Sequence, residues 1–563
     1  MKRLFSFLLA FSVLCSACTR GHRTEREAPS HTDLSFAELT ESGEDVGLAL
    51  ARAGELVFRI ERGELSGLCA QEALDAHLAS YERLRTDAAL AYVRYCLDVT
   101  DPEARQRYDA LSVKLDALAC VLTDAALLLS RDPALSDRYD AETVDRLLRE
   151  DALSDLSLQP LLARERELVG QYEALPETLF AERNGRRWTG DQILSDPTLS
   201  DADFAALYEQ YMSLFNREAG KICLQLLEVR NEIADALGFD TYAAYAYACM
   251  DRSFSPEDAA SFSENVKRDF VPLFQRIGED FYAAAGRLYG AVFEQGPTME
   301  RIRDAIVSLV PELEEPWEYM IAHSMLDLET EVNRMPCSFT TYFASYGTPF
   351  LFSSWTNGFD MPPTVIHEFG HFSAFYLNGD VLKTGNPPDL AEIDAQGLEL
   401  LTVLRYDTIY GDLSRAAETA QLFYALYALL DGCLEDEFQR FAYENGEMSV
   451  DRLNAEYGRL LKAYGMDALG IDPRAWTQIP HTFRLPYYYI SYAVSMAAAL
   501  ELYLIATHDP DAAARAYRGI LQRSGADLAE TLKCAGLRDP FSADDLHKTA
   551  YELGSVRRFS NNE

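Results

Sequence analysis

Positive charge is scarce in this chain. It has 51 Lys and Arg residues against 90 Asp and Glu residues, which gives a formal net charge of −39. Nucleic-acid binding needs a basic face that neutralises phosphates, and anionic lipid repels an acidic surface. We therefore expect no nucleic-acid partner and no electrostatic adsorption to a membrane. The acidity fits a substrate channel that favours basic peptides, but a charged surface that keeps the protein soluble is the simpler explanation.

Long apolar runs are missing beyond the N-terminus. No later stretch reaches 18 uninterrupted apolar residues, so no transmembrane helix is predicted there. The basic start Met1–Arg3 precedes an apolar run from Leu4 to about Cys15, and small residues stand directly before Cys18. This pattern predicts a signal peptide over residues 1–18 with a lipobox-like end, followed by a polar tether over 19–35. We expect an exported bacterial protein, bound to the outer face of the cytoplasmic membrane only through a lipid on Cys18.

Strand signals are few, and helical periodicity dominates the chain. Apolar residues recur at three- and four-residue intervals, most clearly in 72–98, 104–129, 204–237, 257–288, 415–445 and 491–506. The main exception is 337–355, which is rich in aromatic and β-branched residues. A polar stretch marks a soft boundary near residue 200. The pattern predicts a mainly α protein with an N-terminal helical lobe (36–200), a C-terminal region (201–563) and one small β-sheet.

Histidine is also rare, yet two of the nine histidines fall in the sequence HEFGH at residues 367–371. Asp360 followed by Met361-Pro362-Pro363 is typical of a helix start, with a capping carboxylate and then proline in the first turn. Asn378-Gly379 is typical of a helix end. The motif is therefore predicted to lie on a helix.

On such a helix, His367 and His371 lie one turn apart on the same face, about 5–6 Å apart at Cβ. Two imidazoles at that spacing can bind one Zn²⁺ ion, and Glu368 can act as catalytic base on a water bound to it. The plainer alternative is a pair of helical histidines that only form hydrogen bonds.

A catalytic zinc ion needs a third protein ligand and leaves one position for water. The next helix is predicted to begin at Pro387-Pro388-Asp389, and it offers Glu392 and Glu399, seven residues apart and near the same face. Asp389 and Glu392 also have the spacing of a capping box, in which Glu392 would only cap the helix. Spacing alone leaves Glu392 and Glu399 as equal candidates for the ligand.

This region resembles oligoendopeptidase F and, more distantly, thimet oligopeptidase, which belong to one zinc-peptidase family. HEFGH, Ala391-Glu392 and Glu399 match the family's metal-site pattern. The resemblance implies that Glu392 is the third ligand and that Glu399 orients a ligating histidine. The segment PFLFSSWTNGFDMPPTVIHEFGH resembles the strand and helix that lead to the family's site. It implies an edge strand near Phe350–Ser353 that pairs with the substrate backbone.

A second segment carries the same likeness. IPHTFRLPYYYISYAVSMAAA (479–499) resembles a family segment that supplies a histidine and tyrosines facing the zinc. The resemblance implies that His481, with Tyr489 or Tyr492, donates hydrogen bonds to the oxyanion, and Tyr488 is the reserve candidate. An aromatic helix face buried in the core is the alternative for each tyrosine.

The likeness extends over about residues 200–563. It implies two helical lobes flanking a deep channel, one Zn²⁺ ion per chain, and an endopeptidase that hydrolyses short oligopeptides. An aminopeptidase, another HExxH peptidase and a non-catalytic peptide-binding surface lipoprotein are the alternative functions.

Overall fold

The computed structural model describes residues 30–139, 143–144, 147–148, 158–330, 333–335, 337–379, 388–522 and 527–556. Helices dominate these residues, and their strands form two small sheets. The mainly α prediction is therefore confirmed. The predicted signal peptide with Cys18, and residues 19–29 of the predicted tether, lie outside the described residues.

The N-terminal part begins with long helices that pack on one another. They are α1 (Val46–Glu61), α2 (Gly67–Leu97), α3 (Pro102–Ser130) and α4 (Gln159–Thr178). Helices α2 and α3 confirm the predictions for 72–98 and 104–129. A hairpin of β1 (Ala181–Arg183) and β2 (Arg186–Trp188) follows, and Asn184 and Gly185 in its turn both have positive φ. Asn-Gly suits this turn because both positions need a left-handed backbone.

A second group of helices precedes the larger sheet. These helices are α5 (Gly190–Ser195), α6 (Asp201–Ala236), α7 (Tyr242–Cys249), α8 (Pro256–Leu288), α9 (Gln295–Leu309) and α10 (Glu314–Ala322). Helices α6 and α8 confirm the predictions for 204–237 and 257–288. Ser255 and Asp258 form a reciprocal capping box at the start of α8, and Pro256 occupies its first turn, which explains where that helix begins.

The C-terminal helices complete the fold. They are α11 (Met361–Asn378), α12 (Pro388–Thr402), α13 (Tyr406–Tyr410), α14 (Ser414–Glu444), α15 (Val450–Ala463), α16 (Pro480–Arg484), α17 (Ile490–His508), α18 (Pro510–Leu521), α19 (Leu528–Ala535) and α20 (Ala543–Ser555). Helices α14 and α17 confirm the predictions for 415–445 and 491–506. Among the described helices, α17 is long and apolar enough to cross a membrane, but 83% of its apolar window is buried inside the protein. Such burial is typical of a core helix.

The larger sheet lies beside α11. Its strands are β3 (Leu326–Asp327), β4 (Phe339–Phe343) and β5 (Thr348–Phe352), in the order β3–β5–β4. Strand β5 pairs with β4 on one side and with β3 on the other, and the main-chain N of Ser353 donates to Asp327 O. The prediction of an edge strand near Phe350–Ser353 is therefore wrong. The two-residue strand β3, too short to give a sequence signal, occupies the edge that was expected to be open.

Helix α11 begins and ends where the sequence predicts, but its cap differs. The Asp360 side chain forms no capping hydrogen bond, and its main-chain carbonyl instead accepts from Thr364 Oγ1 at 2.8 Å. Pro362 and Pro363 occupy the first turn. Gly379 follows the helix with a φ of 75°, a conformation that favours glycine at a helix end.

Helices α11 and α12 approach each other closely at Gly370. A Cβ atom on Gly370 would lie 2.5 Å from the main-chain oxygen of Asp394 and 2.6 Å from Ala395 Cα. Since the obstructing atoms belong to the backbone, they cannot rotate away, and only glycine fits. This contact holds the HEFGH helix against the helix that carries Glu392 and Glu399.

The described end of the predicted tether packs on the protein. The His31 ring stacks on Tyr376 with centroids 3.9 Å apart, and His31 Nδ1 lies 2.6 Å from Gly347 O. The main-chain N of Thr32 donates to Tyr346 O. Residues 31 and 32 are therefore fixed against α11 and the turn between β4 and β5.

Candidate metal centre

The two histidines of the HEFGH motif face each other across one turn of α11. The rings of His367 and His371 have centroids 4.9 Å apart and planes 85° apart. Both side chains are half-buried. The predicted pairing of the two imidazoles is thus present.

Glu392 projects from α12 towards both rings. Its Oε2 lies 3.7 Å from His367 Nε2 and 3.9 Å from His371 Nε2. One donor atom from each of the three residues lies within 4.8 Å of the other two. The fold thus brings all three predicted ligands together.

The surroundings of Glu392 test whether a cation fits there. The residue is 3% exposed, and among the described residues its Oε2 has no hydrogen-bond partner, while Oε1 accepts from Tyr488 Oη at 2.9 Å. Leaving a buried carboxylate oxygen unpaired is costly. This carboxylate oxygen and the two imidazole nitrogens that it faces form a ligand set that fits a divalent metal ion. The capping alternative is not supported, since both oxygens of Asp389 lack hydrogen bonds within the described part of the chain.

Glu399 contacts the opposite side of the His367 ring. Its Oε1 lies 2.5 Å from His367 Nδ1, and its Oε2 accepts from Gln421 Nε2 at 2.8 Å. Burial lowers the pKa of His367, but the hydrogen bond and charge of Glu399 outweigh burial and raise this pKa to about 9. The geometry therefore separates the two candidate carboxylates, because Glu399 orients the ring while Glu392 faces its other nitrogen.

Glu368, on α11, is buried on the side of the helix that faces the sheet. Thr340 Oγ1 on β4 is 2.9 Å from both Glu368 Oε2 and the Glu368 main-chain oxygen. Burial raises the pKa of Glu368 to about 7, although the His367 charge and the Thr340 hydroxyl oppose this shift. A carboxylate whose pKa lies near neutrality is suited to accept and return a proton.

His481 and three tyrosines form an aromatic group on the far side of Glu392. The ring centroids of Tyr488, Tyr489 and Tyr492 lie 5.4, 5.0 and 6.4 Å from that of His481. Tyr488 is the tyrosine that hydrogen-bonds to Glu392. The structure thus groups the predicted residues of this segment around His481, and Tyr488 contacts a predicted metal ligand.

The three tyrosines face different neighbours. Burial and then the charge of Glu392 raise the pKa of Tyr492, and Glu368 contributes as well. For Tyr489, burial and then the charge of Asp431 raise the pKa. Tyr492 therefore lies close to the carboxylates of the metal centre, whereas Tyr489 lies close to α14.

Two residues of the site were not anticipated from the sequence. Thr340 and Gln421 stand 28 residues before Glu368 and 22 residues after Glu399. Thr340 lies in the segment that the sequence marks as a strand, but no spacing rule connects either residue with the motif. Only the packing of β4 and α14 against the site reveals them.

Metal affinity tests this donor set. We expect Glu399→Gln to lower the affinity for Zn²⁺ about 10–100-fold, as is usual when the partner of a ligating histidine is changed. Glu392→Gln should lower it further because an anionic ligand is lost. Competition with a chromophoric chelator measures both values, and the exposed Glu447→Gln variant is the control. Wild-type affinity in the Glu392→Gln protein would contradict the assignment.

No family model and no curated protein matches the chain. Solved structures do resemble it. A protein assigned as oligoendopeptidase F superposes with a TM-score of 0.77 at 21% identity, covering 93% of this chain and 100% of its own. PZ peptidase A with an inhibitor gives 0.75 at 20% identity, with 93% and 100% coverage. A carboxypeptidase from Pyrococcus furiosus gives 0.57 at 15% identity, with 85% and 98% coverage. The chain therefore has the fold of these peptidases.

Proposed function

We propose that the protein is a zinc-dependent endopeptidase that hydrolyses short oligopeptides. The observation that carries this proposal is the convergence of His367, His371 and Glu392, with the Glu368 carboxyl on the same helix. Two imidazoles and a carboxylate are a common ligand set of catalytic zinc and leave one position open. The likeness in fold to oligoendopeptidase F and PZ peptidase A supports the same reaction.

A bound Zn²⁺ ion would supply Lewis acidity for the scissile carbonyl and lower the pKa of a water molecule to near 7. In this mechanism Glu368 is the proton carrier. Its carboxylate accepts a proton from the attacking water and later gives that proton to the leaving amine. Thr340 holds the Glu368 carboxyl in place by its hydrogen bond to Oε2, so the base is oriented before the substrate binds.

Hydroxyl and imidazole donors complete the proposed site. As water attacks, negative charge develops on the carbonyl oxygen, and loss of one hydrogen-bond donor to such an oxygen typically costs about 10²–10³-fold in rate. Tyr492 and His481 are our choice as donors. Tyr488 is engaged by Glu392, and Tyr489 faces Asp431 and Glu435 on α14.

Whether the protein cuts inside peptides or at their ends is a separate part of the proposal. Oligoendopeptidase F, by its name, cuts internally, while the carboxypeptidase with a related fold removes C-terminal residues. The higher TM-score and coverage of the former favour internal cleavage of short peptides in a channel between two lobes. The aminopeptidase alternative requires a free N-terminus.

Cleavage of a short peptide blocked at both ends tests the function. We expect the wild-type protein to cut it, and Glu368→Gln to retain zinc while losing about 10²–10⁴-fold in kcat, since the proton carrier is gone. Chromatography of the products and metal analysis measure these effects, with Glu447→Gln as the matched control. A Glu368→Gln protein as active as wild type would refute the mechanism. Cleavage that requires a free end would instead indicate an aminopeptidase or a carboxypeptidase.

We also propose that the protein is exported and anchored by lipid on Cys18. The basic, apolar and small-residue pattern before Cys18 supports this localisation. Expressed with its full N-terminus in a bacterium, the wild-type protein should partition into detergent, and Cys18→Ser should remain in the aqueous phase. Equal detergent partitioning of both proteins would exclude lipidation at Cys18.

A further inference from the structure

Helix α14 lies directly against the turn that carries the site tyrosines. A Cβ atom on Gly432 would lie 2.7 Å from Tyr489 O and 2.8 Å from Ala493 Cβ. Because only a hydrogen atom fits there, the helix and the turn approach as closely as their backbones allow. The contact places Asp431 and Glu435, which flank Gly432, next to Tyr489.

Glu435 is a fully buried carboxylate with an incomplete set of partners. Its exposed fraction is 0%, and its Oε1 accepts from Tyr457 Oη at 2.8 Å. In the described part of the chain its Oε2 has no hydrogen-bond partner. Burial, and then the charge of Asp431, raise the pKa of Glu435 well above its usual range. The side chains of Tyr457, Gln439 and Thr482 oppose this shift. A nearby cation would therefore stabilise the charged form of this carboxyl.

Asp431 faces the same space one helical turn earlier. Side chains at this spacing are neighbours on a helix surface, and Asp431 is half-buried rather than enclosed. Burial raises its pKa to about 7, against the opposing hydrogen bond from Tyr427. No Lys or Arg among the described residues pairs with Asp431 or Glu435. Two carboxylates without a counter-ion repel each other until a cation joins them.

The position of this pair relates it to the proposed reaction. We call Tyr427, Asp431, Glu435 and Tyr489 the acidic recess. Its Tyr489 ring lies 5.0 Å from the His481 ring and 5.4 Å from the Tyr492 ring, centroid to centroid. Tyr427, Asp431 and Tyr489 are each half-buried, so the recess is accessible at these side chains. It therefore adjoins the part of the site where a peptide would lie.

We propose that the acidic recess binds a cationic group of the substrate peptide, either its free α-amino group or a Lys or Arg side chain. Asp431 supplies the accessible acceptor, the buried carboxyl of Glu435 one helical turn away adds negative charge, and the tyrosine rings enclose the cation. This inference rests on the proposed peptidase function and names the class of peptide that the enzyme prefers. The net charge of −39 would also attract cationic peptides from a distance.

The test compares internally quenched peptides that differ only in charge. One peptide has a free amino terminus and another is acetylated; further acetylated peptides carry Lys or the neutral Gln at one position at a time. We expect the wild-type protein to prefer the cationic member of one pair about tenfold in kcat/KM, mainly through KM, as for a partly desolvated charge pair. If acetylation abolishes the preference, the α-amino group is the cation that is bound. If the Lys peptide is preferred over the Gln peptide at one position, a side chain is the cation that is bound.

Substitutions test which residues of the protein cause the preference for cationic peptides. Asp431→Asn and Glu435→Gln keep the side-chain shape but remove one charge each, so both should bring the preference ratio towards one. Asp407→Asn removes an exposed charge elsewhere and should keep the wild-type ratio, which excludes a general effect of net charge. Two results would overturn the proposed role of the acidic recess. One is an equal kcat/KM of the wild-type protein for both peptides of every pair, and the other is an unchanged preference ratio in both variants. Failure to cleave any peptide would overturn the peptidase function and the recess together.

Discussion

The close packing of α11 on α12 is the constraint on which the site depends. Because Gly370 has no side chain, the backbone at Asp394 and Ala395 lies directly against α11. Glu392 and Glu399 then reach His367 from one helix but at different ring nitrogens, Nε2 and Nδ1. The imidazole is thereby oriented before a metal ion binds, and a preformed site loses less affinity to reorganisation. A side chain at residue 370 would separate the helices and remove both contacts at once.

Buried negative charge is the second theme of the structure. Burial raises the pKa of both Glu368 and Glu392, which means that their charged forms are disfavoured without a compensating cation. A divalent ion between Glu392 and the histidines would supply that compensation. The acidic recess repeats the situation on the other side of the tyrosines, where a cationic substrate group would play the corresponding part. Buried carboxylates without a compensating cation are thus common to the metal site and to the proposed site for cationic peptides.

Much of this arrangement could be predicted from local sequence, and the rest depends on contacts between distant segments. The bounds of α11 follow from proline and glycine preferences, and the pairing of His367 with His371 follows from helical spacing. Spacing left Glu392 and Glu399 as equal candidates for the third ligand, because both lie near the same face of the helix. The resemblance favoured Glu392. The packing of α12 distinguishes the two residues, since each faces a different nitrogen of the His367 ring. The open edge at Phe350–Ser353 was wrong because β3 has no local signal. Thr340 and the acidic recess were missed since only tertiary packing brings them to the site.

X-ray absorption spectroscopy at the zinc edge of the purified protein tests the proposed ligand set of His367, His371 and Glu392. We expect one zinc ion per chain, surrounded by nitrogen and oxygen atoms at about 2.0–2.2 Å, with the multiple scattering of two imidazoles. Glu392→Gln should change the oxygen contribution and leave the imidazole signal. A sulfur shell at about 2.3 Å, or a zinc spectrum without imidazole scattering, would rule out this ligand set.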